Sequence, residues 1–171
     1  MIRLTGAAVD AGLMVESDRW MPLKCTWNVA LRDMPQYIRV SGEMGGELEL
    51  KVDSDTLFLY QLIVLEWAPR LDVDRAFSWE FASGETDSVP QFDTSTWSQH
   101  SDGSLLRMAR TRVSMSTSVV DRRIALRLDS IMPHAYIGRG LARFGVSQQR
   151  ELVEICFPTE AVSRFQLPNI E

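Results

Sequence analysis

The chain lacks any apolar run long enough to cross a membrane as a helix. None of its stretches approaches the roughly 18 residues that such a span requires. Its opening, "MIRLTGAAVDAGLMVESD", has no basic flank leading into a continuous apolar core, which argues against a secretory signal. Cysteine is scarce. Cys25 and Cys156 have no metal-ligand spacing and read as reduced, buried thiols, with a single disulfide between them as the alternative. Histidine is equally scarce: neither His100 nor His134 has a cysteine or acid at zinc spacing, so no dedicated metal site is expected. A phosphate-cradling loop is missing too, because "GRGLARFG" has neither a following Lys-Ser/Thr nor a βαβ context. "HSDGS" contains the residue types of a hydrolase triad but no G-x-S-x-G elbow, and triads are assembled across a fold rather than within five residues. These absences point to a cytoplasmic protein without metal, membrane span or disulfide framework.

What is present is an ordinary globular composition, 45% hydrophobic and 24% charged, over 171 residues. That length suits one domain able to bury its own core. The expected organisation is an N-terminal arm or first strand over 1–20 and a single β-rich domain over 21–171. Lysine is nearly absent, 2 against 16 arginines. The net charge of −5 divides unevenly, with −8 in residues 1–100 and +3 in residues 101–171. Nine arginines fall between Arg107 and Arg150. They suit a phosphate-bearing ligand, an acidic surface of the same or another subunit, or solvated strand positions.

Period-two patterning dominates. "PLKCTWNVALRDMP" alternates Cys25, Trp27, Val29 and Leu31 against Thr26, Asn28, Ala30 and Arg32, which predicts a strand. "QYIRVSGEMGGELELKVD" predicts a hairpin around Gly45-Gly46. "SDTLFLYQLIVLEWAP" opens on Ser54 and Asp55, both good N-caps, and stops at Pro69. It predicts a buried helix, with a buried strand as the alternative that its apolar content leaves open. "RAFSWEFAS" predicts a strand, and residues 83–104 predict a long loop. "RVSMSTSVV", "RRIALRLDSI" and "ELVEICFP" predict further strands, and the tail from Thr159 a turn of helix or a short strand. The fold class expected is α+β, predominantly antiparallel β with two or three helices, in a single compact domain.

One constellation carries candidate chemistry. Ser116-Thr117-Ser118 sits on a predicted strand, followed by an alternating apolar strand, by Ala135-Tyr136-Ile137, and by Gln149-Arg150-Glu151 running into "LVEICFP". In this order the pieces resemble mono-ADP-ribosyltransferases of the arginine, Ser-Thr-Ser, Gln/Glu-x-Glu class, over roughly residues 110–165. The family's arginine matches best at Arg32, with Arg39 second. The resemblance implies NAD as substrate, no metal, and a protein acceptor. Glu151 would bind the ribose 2′-hydroxyl and stabilise an oxocarbenium-like state. Gln149 would steer the acceptor, Arg32 would hold the pyrophosphate with Thr117 and Ser118 nearby, and Ser116 would support Glu151.

A second class of function fits the same chain. A β-rich domain with oppositely charged halves suits a self-assembling structural subunit, such as a shell or tail component of a virion, in which complementary faces set register between copies. A third reading is an RNA-contacting module using the Arg107–Arg150 region.

Overall fold

The structure, a computed structural model, describes residues 2–9, 12–71, 88–95, 97, 108–120, 122–138 and 141–162. Thirteen strands make up nearly all of its regular structure. The one helical element among the described residues is a three-residue 3-10 turn, Thr159–Ala161. The α+β expectation is therefore corrected to a nearly all-β fold.

The clearest correction falls on the segment expected to be a helix. Ser54 and Asp55 do not cap one; they lie in a turn closed by the carboxylate of Asp53, which accepts from the Thr56 N–H and hydroxyl, both at 2.8 Å. Leu57 then takes a left-handed conformation, φ 62°. The chain emerges as β6, Leu59–Glu66, with Leu59, Leu62 and Val64 fully buried. Its apolar content reflects a central position between two neighbouring strands rather than a helical face.

Six strands form the largest sheet, in the order β2 (Leu13–Glu16), β3 (Leu23–Trp27), β6, β5 (Glu47–Val52), β4 (Gln36–Gly42), β8 (Met108–Val113). All its pairs are antiparallel except β4 with β8. The β4–β5 hairpin turns through Gly45 and Gly46, both at positive φ. At Gly46 a Cβ would lie 2.7 Å from Ala68, so glycine is required there. Of the predicted set Cys25, Trp27, Val29 and Leu31, strand β3 keeps Cys25 and Trp27 inward, joined by Leu23, but it ends at Trp27, where the Val29 N–H donates back to the Trp27 carbonyl. Leu31 consequently lies outside the strand and is exposed.

A five-stranded antiparallel sheet follows the order β11 (Ala135–Ile137), β12 (Arg143–Val146), β13 (Leu152–Pro158), β10 (Arg123–Arg127), β9 (Ser116–Val120). The segment "RVSMSTSVV" is two strands, not one: the chain leaves the larger sheet as β8 and enters the smaller one as β9 after Ser114 and Met115. Part of the expected 83–104 loop is also a strand, β7 (Ser88–Asp93), paired antiparallel with β1 (Arg3–Val9). "RAFSWEFAS" and the tail from 163 lie outside the described residues. Ile2 and Leu4 are buried beside β1's pairing and belong to the shared core.

That core draws on all three sheets. Trp27 of the larger sheet meets Phe144 of the smaller, ring centroids 6.0 Å apart, and Phe92 of β7 packs nearby against Trp97 at 6.2 Å. Burying such side chains contributes about 1.5–3 kcal/mol each. Both cysteines are free thiols, and burial pushes Cys25 up to about 12. Among the described residues no helix is long and apolar enough to cross a membrane.

Candidate functional site

Ser116, Thr117 and Ser118 occupy the start of β9. Register places Ser116 beside Arg127 of β10 and, one strand further, Glu154 of β13. The carboxylate in line with the serines is thus Glu154, not Glu151. Glu151 precedes β13 by one residue. Two strand spacings across and three residues along put it roughly 14 Å from Ser116, Cα to Cα. Thr117 faces the core, while Ser118 lies on the opposite face with Ser116 and is itself buried. Neither the Thr117 nor the Ser118 hydroxyl makes a hydrogen bond among the described residues.

Gln149 and Glu151 do not share one side of an extended chain. Residues 147–151 form the β12–β13 hairpin turn: the Arg150 N–H donates to the Ser147 carbonyl, the Ser147 N–H donates to the Glu151 carbonyl, and Arg150 sits at φ 61°. The Ser147 hydroxyl accepts from the Gln149 and Glu151 N–H groups, both at 3.2 Å. This is a turn with a left-handed residue before the strand resumes, built to reverse the chain. Gln149 is exposed at its tip. Glu151 is directed to Arg3, Oε1 to Nη2 3.8 Å, at a point where β1 crosses the start of β13.

Arg32 lies in the connection after β3. Its N–H donates to Asp53 and its guanidinium to Asp55 at 3.3 Å, with 70% of the side chain exposed. Among the described residues no hydrogen bond or ion pair joins it to Glu151, whose carboxylate meets Arg3 instead. Arg39, the second choice, is on β4 and bridges Glu47 and Glu49. The structure therefore does not bring the arginine, serine and glutamate candidates to one place.

The arginines of the Arg107–Arg150 region are equally dispersed. Arg110 and Arg112 lie on β8, and Arg123, Arg127 and Arg143 on the smaller sheet. Arg122 pairs with Glu160 at 2.6 Å in the open. Arg107 and Arg139 fall outside the described residues.

What sequence reasoning missed is the polar cluster around Glu154, a carboxylate only 1% exposed. It accepts from Tyr136 at 2.7 Å, from the Cys156 thiol at 3.1 Å, and from Arg127 Nε at 3.1 Å. Burial, reinforced by the adjacent Glu154 carboxylate, drives both the Tyr136 phenol and the Cys156 thiol upward. Both stay protonated donors near neutral pH, so Cys156 is neither nucleophile nor ligand in this setting. A signal was present: a carboxylate between Val153 and Ile155 in an apolar strand requires buried partners. Engaged by three donors and almost fully buried, Glu154 ties β10, β11 and β13 together on this face of the sheet.

No family model matches the chain, and no curated protein matches it. The resemblance to ADP-ribosyltransferases rests on the motif residues alone.

Proposed function

We propose that the protein is a non-enzymatic β-rich subunit that works by associating with copies of itself. The observation that carries this reading is the largest sheet, which ends in β2 on one side and β8 on the other with no further strand paired to either among the described residues. Among the described residues both edges present unpaired backbone donors and acceptors, the natural template for another chain. The charged candidates of the transferase reading, in contrast, are engaged elsewhere: Arg32 with Asp55 and Glu151 with Arg3.

The test is sedimentation of the purified protein over a wide concentration range, with NAD⁺ consumption measured on the same sample. A mass that rises with concentration, without nicotinamide release, is the expected result. Nicotinamide release that vanishes in folded Glu151→Ala, from a protein that remains monomeric, would reverse the proposal in favour of the transferase.

A further inference from the structure

Side chains of register partners stand side by side on one face of a sheet, so each row across the six strands can be read from edge to edge. One row runs Met108, Tyr37, Lys51, Gln61, Thr26, Met14. The next on the same face runs Arg110, Arg39, Glu49, Ile63, Lys24, Glu16. Between them, on the inner face, lies Ala109, Ile38, Leu50, Leu62, Cys25, Val15. The two ends of these rows match. Methionine ends the first on both sides, an arginine and a glutamate end the second, and Ala109 and Val15 end the third.

Resting on the self-association reading, we infer that the β8 edge of one copy pairs with the β2 edge of the next, continuing the sheet from molecule to molecule. Both strands run the same way within the sheet, so the junction is a parallel pair. A single register sets Met14 beside Met108, Val15 beside Ala109 and Glu16 beside Arg110. Met14 is 55% exposed. Arg110 is exposed and has no acidic partner among the described residues, whereas its row neighbour Arg39 is neutralised by Glu47 and Glu49. Glu16 already meets Lys24 at 2.6 Å and remains partly exposed, able to face a second cation.

The same residues disfavour the symmetric alternative. Joining β8 to β8 would crowd Arg110 and Arg112 of both copies on one seam, and like charges across paired strands are destabilising. The junction is therefore head-to-tail, and the right-handed twist of the sheet turns successive copies into a ring or a helical array.

The experiment uses the full chain with charge reversals. Arg110→Glu alone sets Glu against Glu16 of the neighbour, and Glu16→Arg alone sets Arg against Arg110. Each is expected to weaken association about tenfold or more, while circular dichroism shows each still folded. An equimolar mixture of the two restores attraction at every junction and is expected to recover the wild-type mass. If wild type associates but neither reversal changes its mass, or if the mixture fails to recover, the edge assignment is overturned while self-association stands. A wild-type protein that is monomeric at every concentration overturns both.

Discussion

Two glutamates three positions apart illustrate how much a residue's environment decides. Glu154 is enclosed, with Arg127, Tyr136 and Cys156 all donating to it. Removing it strands a nearly buried guanidinium and two donors, and loss of one partner of a buried pair costs about 3–5 kcal/mol. Glu151 is also buried, 8% exposed, but its one ion-pair partner among the described residues is an arginine whose side chain is half exposed, at a long 3.8 Å. With one member in solvent and the contact long, the pair lies near the weak end, about 1 kcal/mol. Urea denaturation should therefore show Glu154→Ala losing several times more stability than Glu151→Ala, and equal losses would refute the assignment of the structural role to Glu154. Sequence alone points to Glu151 because it follows Gln149 at a motif's spacing. It does not show that Arg150 breaks the extended chain between them, since a positive φ at arginine leaves no compositional trace.

At the scale of elements, alternation marks which side chains of a strand face inward but not where the strand ends: β3 stops at Trp27, short of Val29 and Leu31, and "RVSMSTSVV" divides at Ser114. The hairpin at Gly45-Gly46 and the inward faces of β3 and β10 follow directly from period two. β6 takes the strand alternative rather than the expected helix, and composition does not separate the two, because a central strand and a buried helix are equally apolar. The residue that decides between them, Asp53, precedes the segment. Burial alone would raise the Asp53 carboxyl, but N–H groups of Thr56 and Arg32 and the Thr56 hydroxyl outweigh it and hold the group below its ordinary value. Its contribution is thus fully present above the unfolded value of about 3.9 and is lost as pH falls through the depressed folded value. Unfolding midpoints taken from pH 7 downward should fall in this acid range, and Asp53→Asn should flatten that part of the curve. Asp53→Asn should also lower stability at pH 7 by about 2 kcal/mol, because one donor is left facing an amide. An unchanged acid slope in the variant would remove Asp53 from the account.

For the molecule as a whole, three sheets share one core, which no local pattern in the sequence announces. The crossings are made by short irregular pieces. Ser114 and Met115 carry the chain between sheets, and residues 69–71 lie against β9, with the Thr117 N–H donating to the Pro69 carbonyl and the Leu71 N–H to the Thr117 carbonyl. β1 ties the β12–β13 turn to β7 through Leu4 and Arg3. Because these links are distributed, neither large sheet has a core of its own to retain when the other opens. Phe144 is fully buried at the contact with Trp27, and truncating a buried phenylalanine costs about 3–5 kcal/mol. Phe144→Ala, although it sits on the smaller sheet, should therefore lower the unfolding midpoint of the entire molecule. Tryptophan fluorescence and far-ultraviolet circular dichroism should still trace one coincident transition. Two separated transitions in that variant would mean that the sheets are independent folding units. An edge-paired array would then have to be explained from the six-stranded sheet alone, since only β2 and β8 form the junction.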